Sequence, residues 1–218
     1  MELSEIKTFL ENPNPQSRMK AIVELRKYEP EIVVPLLQER MHDKEFIVRS
    51  FVAMGLGYKR TEAGYEILLD IIENEKDPNV KAEAANSLSK FGDQSIPHLV
   101  ELFKNEPHWL VRQSIFAVIN ELDSPELLFK LSCYGLEGDD VVVKLTSITN
   151  FARLVDTPYE NEVVQLLCKL STDDVTIIRV RVAKVLAKFD HPLAQEALAQ
   201  LRKDPNHKVV AATLESMI

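Results

Sequence analysis

Two thiols and five imidazoles are the side chains of this sequence best suited to act as nucleophile, acid–base group or metal ligand. Cys133 stands in "LSCYGL" and Cys168 in "LLCKL". A reactive thiol needs a cationic or otherwise electropositive setting that favours the thiolate. No cation stands beside Cys133, and Lys169 directly follows Cys168, where adjacent helical residues do not share a face. Small core residues are the expected role of both, because free cysteine is usually buried; a transient thiol adduct is the sharper alternative. The histidines (His42, His98, His108, His191, His207) fall mostly at expected helix starts and turns. The sequence has no His-Glu-x-x-His, no Cys-x-x-Cys, no glycine-rich phosphate loop and no nucleophile elbow. These residue types nominate neither a catalytic nor a metal-ligating set.

The chemistry that does recur is charge. A basic residue returns at Arg18, Arg49, Lys81, Arg112, Lys144, Arg179 and Lys208, in steps of 31, 32, 31, 32, 35 and 29 residues. Four positions earlier stand Asn14, Glu45, Asp77, Asp140 and Asp204, with His108 and Val175 as exceptions. Two readings follow. The column is a positive ladder for an acidic partner, or it fixes repeat register by pairing with the acid one turn back or with an acid of the next repeat. An i,i+4 pair contributes only about 0.2–0.5 kcal/mol on an isolated helix, so register is the expected role.

The elements that must carry this column follow from the apolar residues around it. Around most of the basic anchors apolar or small residues stand at −1, +3, +7 and +10, one face of a helix, and the last copy breaks with Glu215 at +7. A second amphipathic segment precedes each copy, as in "AGYEILLDIIE" and "NEVVQLLCKL". Proline just after a cap or turn residue, as in Asp77-Pro78, Ser124-Pro125, Thr157-Pro158 and His191-Pro192, marks helix starts. No alternating run with hairpin chemistry predicts a strand. The pattern predicts an all-α, right-handed α-solenoid of about seven helix pairs, each about 31 residues. It is expected to form one domain over residues 1–218, in which stacking buries the faces that a single pair cannot.

With +3 and +7 turned inward, +2, +5 and +9 face outward on the second helix of each pair. In the third repeat these are Glu83, Asn86 and Lys90, which suit water. In the second they are Phe51, Met54 and Tyr58, which do not. The sixth carries Arg181, Lys184 and Lys188, and the first Lys20, Val23 and Lys27. The expected contact residues are therefore Arg49, Phe51, Met54 and Tyr58, with Trp109 and Arg112, and Arg181 and Lys184. Trp109, the single tryptophan, begins the eighth helix, where it either staples the preceding helix or takes part in binding beside His108.

Net charge is −8 over 218 residues, with a sequence pI near 5.2, which disfavours a general binder of phosphate backbones. Two cysteines allow no disulfide framework and fit a reducing compartment. The start, "MELSEIKTFL", reads neither as a signal nor as a transit peptide, and no apolar run reaches the ~18 residues that a membrane span requires. A cytoplasmic protein is expected.

The period, Val80-Lys81, Ala84-Ala85, Leu88, Phe91-Gly92-Asp93, and the pairs Val48-Arg49, Val111-Arg112 and Ile178-Arg179 resemble the short HEAT-like repeat of the phycobilin-lyase type. "AEAANSLSKFGD" and "WLVRQSIFAVI" incline the resemblance toward cyanobacterial phycobilisome degradation proteins of the NblB type. The resemblance implies a cytoplasmic adaptor, or one held at the thylakoid surface by a partner. It would bind phycobiliproteins or their bilin through its concave face and assist phycobilisome turnover. No cofactor is required, and phycocyanobilin is a candidate ligand. A propionate-bearing bilin would suit Arg49 beside aromatic faces. The alternatives are a bilin lyase or detaching subunit, in which a thiol adduct with the bilin would matter, and a general protein–protein scaffold.

Overall fold

The computed structural model describes residues 1–215. Among them are fourteen α-helices and no strand. In chain order they are α1 (Leu3–Leu10), α2 (Pro15–Glu24), α3 (Pro30–Gln38), α4 (Phe46–Lys59), α5 (Glu62–Asn74), α6 (Pro78–Ser89) and α7 (Ile96–Asn105). These are followed by α8 (Trp109–Asn120), α9 (Pro125–Glu137), α10 (Val141–Phe151), α11 (Glu160–Leu170), α12 (Thr176–Leu186), α13 (Pro192–Leu201) and α14 (His207–Glu215).

The boundaries follow local chemistry. Pro15, Pro30, Pro78, Pro125 and Pro192 each open a helix, where the missing N–H would have no helical partner in any case. Asn14, Thr61, Asp77, Ser124, Asp140 and His191 cap helices by accepting hydrogen bonds from first-turn amides. Thr157-Pro158 stands just ahead of α11. Gly92 takes φ +76° after α6, in the left-handed region that glycine enters without strain.

The chain divides into two compact units, Met1–Val118 and Ile119–Ile218. Each is a stretch of α-solenoid with two layers. In the first unit α2, α4 and α6 pack in a row, with α1, α3 and α5 against them. In the second, α10, α12 and α14 form the row, with α9, α11 and α13 behind. The periodic positions make the core. Val48, Val52 and Leu56, then Val80, Ala84 and Leu88, then Val143, Ser147 and Phe151 are fully buried.

The last copy sits in a different register from the one expected. The amide of Val210 bonds to the Asn206 carbonyl, as Arg49 does to Glu45 and Arg179 to Val175. Val209 and Thr213 are buried, whereas Lys208 is exposed. The seventh anchor is therefore the apolar Val210, and Lys208 lies off the column. No helix among the described residues is long and apolar enough to cross a membrane.

Candidate functional site

The basic column is built into the turns. Each arginine anchor bonds to carbonyls five or six residues earlier in its own turn. Arg18 Nη1 donates to Asn12 O at 2.8 Å and Pro13 O at 3.0 Å. Arg49 Nη1 donates to Asp43 O at 2.8 Å, Arg112 Nε to Glu106 O at 2.6 Å and Arg179 Nη1 to Asp173 O at 2.7 Å. Four anchors also reach a carboxylate in the next turn: Arg18 to Asp43 at 2.7 Å, Arg49 to Glu75 at 2.6 Å, Lys81 to Glu106 at 2.8 Å and Arg179 to Asp204 at 2.7 Å. Those carboxylates then accept the amide two residues on, Glu45, Asp77, His108 and Asn206 respectively.

Register, not a ladder open to solvent, is what this arrangement supplies. It comes from the neighbouring repeat and not from the i,i+4 acid. The residue four before the anchor is the helix cap. Asp77 and Asp140 accept from first-turn amides, and His108 does so through Nδ1. Arg49 therefore has its guanidinium engaged by Glu75. Arg112 bonds its own turn and lies over the Phe103 ring at 5.3 Å.

Burial by itself would push the carboxyls of Asp43, Glu75 and Glu106 up, toward the protonated form. Hydrogen bonds from Arg18, Arg49 and Lys81 and from the turn amides outweigh burial and hold all three below the usual carboxylate range. The bond from Arg179 does the same for Asp204. A carboxylate depressed by folding contributes stability above its unfolded value, about 3.9–4.3, and loses it as pH falls through the folded value. Urea-unfolding stability is therefore expected to be little changed by these four groups between about pH 5 and 7 and to fall below about pH 4. Glu75→Gln should make the acid limb shallower. An unchanged acid limb in that variant would remove Glu75 from the account.

The outward stripe of α4 consists of Ile47, Phe51, Met54 and Tyr58, at helical spacing i, i+4, i+7, i+11. Tyr58 is 56% exposed and Ile47 37%, while Phe51 and Met54 are half-buried. On α2 the position equivalent to Met54 is Val23, 37% exposed. The cations beside this stripe are not Arg49. The Arg26 guanidinium lies 5.4 Å from the Tyr58 ring centre, and its Nη2 lies 3.4 Å from Met54 Sδ. Lys59 Nζ lies 5.6 Å from the same ring and donates to the carbonyls of Arg26 and Tyr28. Ile47 could have been read from its position two before the anchor. The roles of Arg26 and Lys59 depend on how two helices stack.

In the second unit the same four positions of α12 hold Ile177, Arg181, Lys184 and Lys188, the last just past the helix end. Arg181 Nη1 donates to Thr149 Oγ1 at 2.5 Å, and Lys184 pairs with Glu215 at 2.8 Å. Trp109 is 44% exposed and stacks on His108, with ring centres 6.1 Å apart. The expected residues thus fall into separate places. Phe51, Met54 and Tyr58 share a stripe, and Arg181 and Lys184 share another. Arg49 and Arg112 lie in the turn layer, and Trp109 stands at a helix start.

Both cysteines are half-buried, and burial pushes both thiols up, with Glu137 adding to Cys133 and Glu196 to Cys168. That direction favours thiol over thiolate and opposes nucleophilic chemistry. Among the described residues no cluster of histidine, cysteine and carboxylate gathers as for a metal ion.

A family model of HEAT repeats matches residues 34–120. Among solved structures, the Escherichia coli protein YibA is similar at 18% identity and TM-score 0.63, over 97% of this chain and 80% of that one. The complex of CpcE and CpcF of phycocyanin lyase from Nostoc sp. is similar at 19% identity and TM-score 0.51, over 100% of this chain and 87% of that one. No curated protein matches the sequence. At these identities the likeness speaks for the fold: HEAT-type helix pairs of the kind also used in phycocyanin lyase.

Proposed function

We propose that this chain is a HEAT-like adaptor, without catalytic chemistry of its own, that holds a protein partner against the α4 face. The observation that carries the reading is the Ile47–Phe51–Met54–Tyr58 stripe. Four large apolar positions lie in line on a face where α6 offers Asn79, Glu83, Asn86 and Lys90. An exposed tyrosine and a half-buried methionine with adjacent cations are the composition of interface anchors. The partner we propose is a phycobiliprotein, and the process phycobilisome turnover. The repeat signature supports this, as does the fold shared with the phycocyanin lyase subunits.

Direct bilin contact is the second reading, because Arg26 and Lys59 flank the Tyr58 ring as a propionate-bearing tetrapyrrole would require. Titration with intact phycocyanin and, separately, with free phycocyanobilin tests both. Tyr58→Ala combined with Met54→Gln should weaken phycocyanin binding at least about tenfold, as loss of a central anchor does, with little change in Tm. Equal binding by wild type and variant would remove the stripe from the account, and no binding by wild type would remove this partner. An absorption shift of free pigment that the variant loses would move the reading to the bilin.

A further inference from the structure

A second surface, independent of the α4 stripe, lies in the unit Ile119–Ile218. Helices α10 and α12, with the short turn of 3-10 helix Ala152–Leu154, contain no carboxylate, although the chain as a whole carries −8. Arg153, Arg181, Lys184 and Lys188 occupy outward positions there, and Thr149, Ile177, Arg181, Lys184 and Lys188 line an open groove. Arg153 is held by Asn120 Oδ1 at 2.7 Å and Arg181 by Thr149 Oγ1, neutral partners that orient the cations without neutralising them. Among the described residues the one carboxylate paired on this face is Glu215, 62% exposed and reaching Lys184 from α14. At the opposite end of the groove Ile177 is 45% exposed.

We infer that this groove binds a carboxylate-rich segment of a partner protein, with one apolar side chain set against Ile177 and acidic side chains over Arg181, Lys184 and Lys188. The spacing sets the motif. Eleven helical positions from Ile177 to Lys188 span roughly 16 Å at 1.5 Å per residue. An extended segment covers that distance in about five residues. Glu215 occupies the place of one ligand carboxylate. Four cations on an otherwise acidic molecule match a short acidic peptide. A long polyanion would meet repulsion beyond the groove.

The probe is a fluorescein-labelled peptide with a leucine and acidic residues about two, three and five positions after it, read by polarisation against the full chain. Saturable binding that falls steeply with salt is expected. Arg181→Gln with Lys188→Gln should weaken it about tenfold or more. Glu215→Gln, by releasing Lys184, should tighten it about threefold, a gain that misfolding cannot mimic. Tyr58→Ala with Met54→Gln should leave it unchanged, which separates this site from the α4 reading. Wild-type failure to bind, or affinity unmoved by the Arg181 and Glu215 variants, would overturn the proposal. Preference for a single-stranded oligonucleotide over the peptide would also overturn it and make the groove a nucleic-acid surface.

Discussion

Replacing Gly57 with alanine is expected to lower stability by about 2 kcal/mol and to displace the α4 stripe. A Cβ at Gly57 would stand 2.5 Å from Ser87 Cβ and 2.8 Å from Ser87 Cα. The second of these is backbone, so no rotamer relieves it; α4 and α6 must move apart. Overpacking of this kind typically costs about 1–3 kcal/mol, and a backbone conflict belongs at the upper end or beyond. Against that, alanine gains about 1 kcal/mol over glycine in a helix interior. The clash wins. Gly55 is the internal control. Its added Cβ meets Leu37 Cδ1 at 2.9 Å, the far end of a flexible side chain, so Gly55→Ala should come out near neutral. Urea unfolding of the two variants reads the difference. Equal stabilities would show that α4 does not rest on α6 through Gly57. Because Ile47, Phe51, Met54 and Tyr58 lie on the same helix, Gly57→Ala should also weaken partner binding without altering any contact residue.

How far the sequence reaches is clear from particular positions. The helix pairs were legible because −1, +3 and +7 recur around each anchor, and burial at Val48, Val52 and Leu56 follows that period. The apolar stripe was legible for the same reason, since +2, +5 and +9 are the complement of the core positions. The partner of the basic column was not. Counting four residues back from Lys81 finds Asp77, but that residue is the cap, and its carboxylate takes the Asn79 amide. The true partner, Glu106, is brought close only by stacking, at a sequence separation of 25. An acid six residues before the next anchor (Asp43, Glu75, Glu106, Asp173, Asp204) was the signal available. Gly138 stands in that series where no carboxylate can be offered, and no ion pair joins Lys144 to Asp173. The last anchor was misplaced because Lys208 matched the column in charge, whereas Val210 matches it in hydrogen bonding and burial. Charge at a solvent-accessible turn is a weaker register mark than the core positions beside it, because water tolerates a shifted lysine and the core does not tolerate a shifted Val209 or Thr213.

The same geometry makes Arg18 the most sensitive rung. Its side chain is 5% exposed and that of Asp43 6%, against 18% and 12% for Arg49 and Glu75. Arg18→Met removes the guanidinium from Asp43 and from the carbonyls of Asn12 and Pro13 together. Breaking a buried pair on one side typically costs about 3–5 kcal/mol, because the remaining charge stays desolvated. A loss of about 3 kcal/mol is expected here, as Asp43 keeps the Glu45 amide. The pH dependence at this site should also weaken. In the wild type burial is overcome by the Arg18 and Glu45 bonds and by the Arg18 and Arg40 charges, which depress Asp43. Without Arg18, burial is opposed only by the Glu45 amide and the Arg40 charge, and the Asp43 value rises from its wild-type position. Less stability at this site is then lost as pH falls below about 4. Asp43→Asn keeps an acceptor for the Glu45 amide and removes the charge. Added to Arg18→Met, it should recover about half of the loss, a coupling that a double-mutant cycle measures directly. Additive losses, or an Arg18→Met variant that keeps the wild-type acid profile, would mean that this pair does not hold the first two repeats in register.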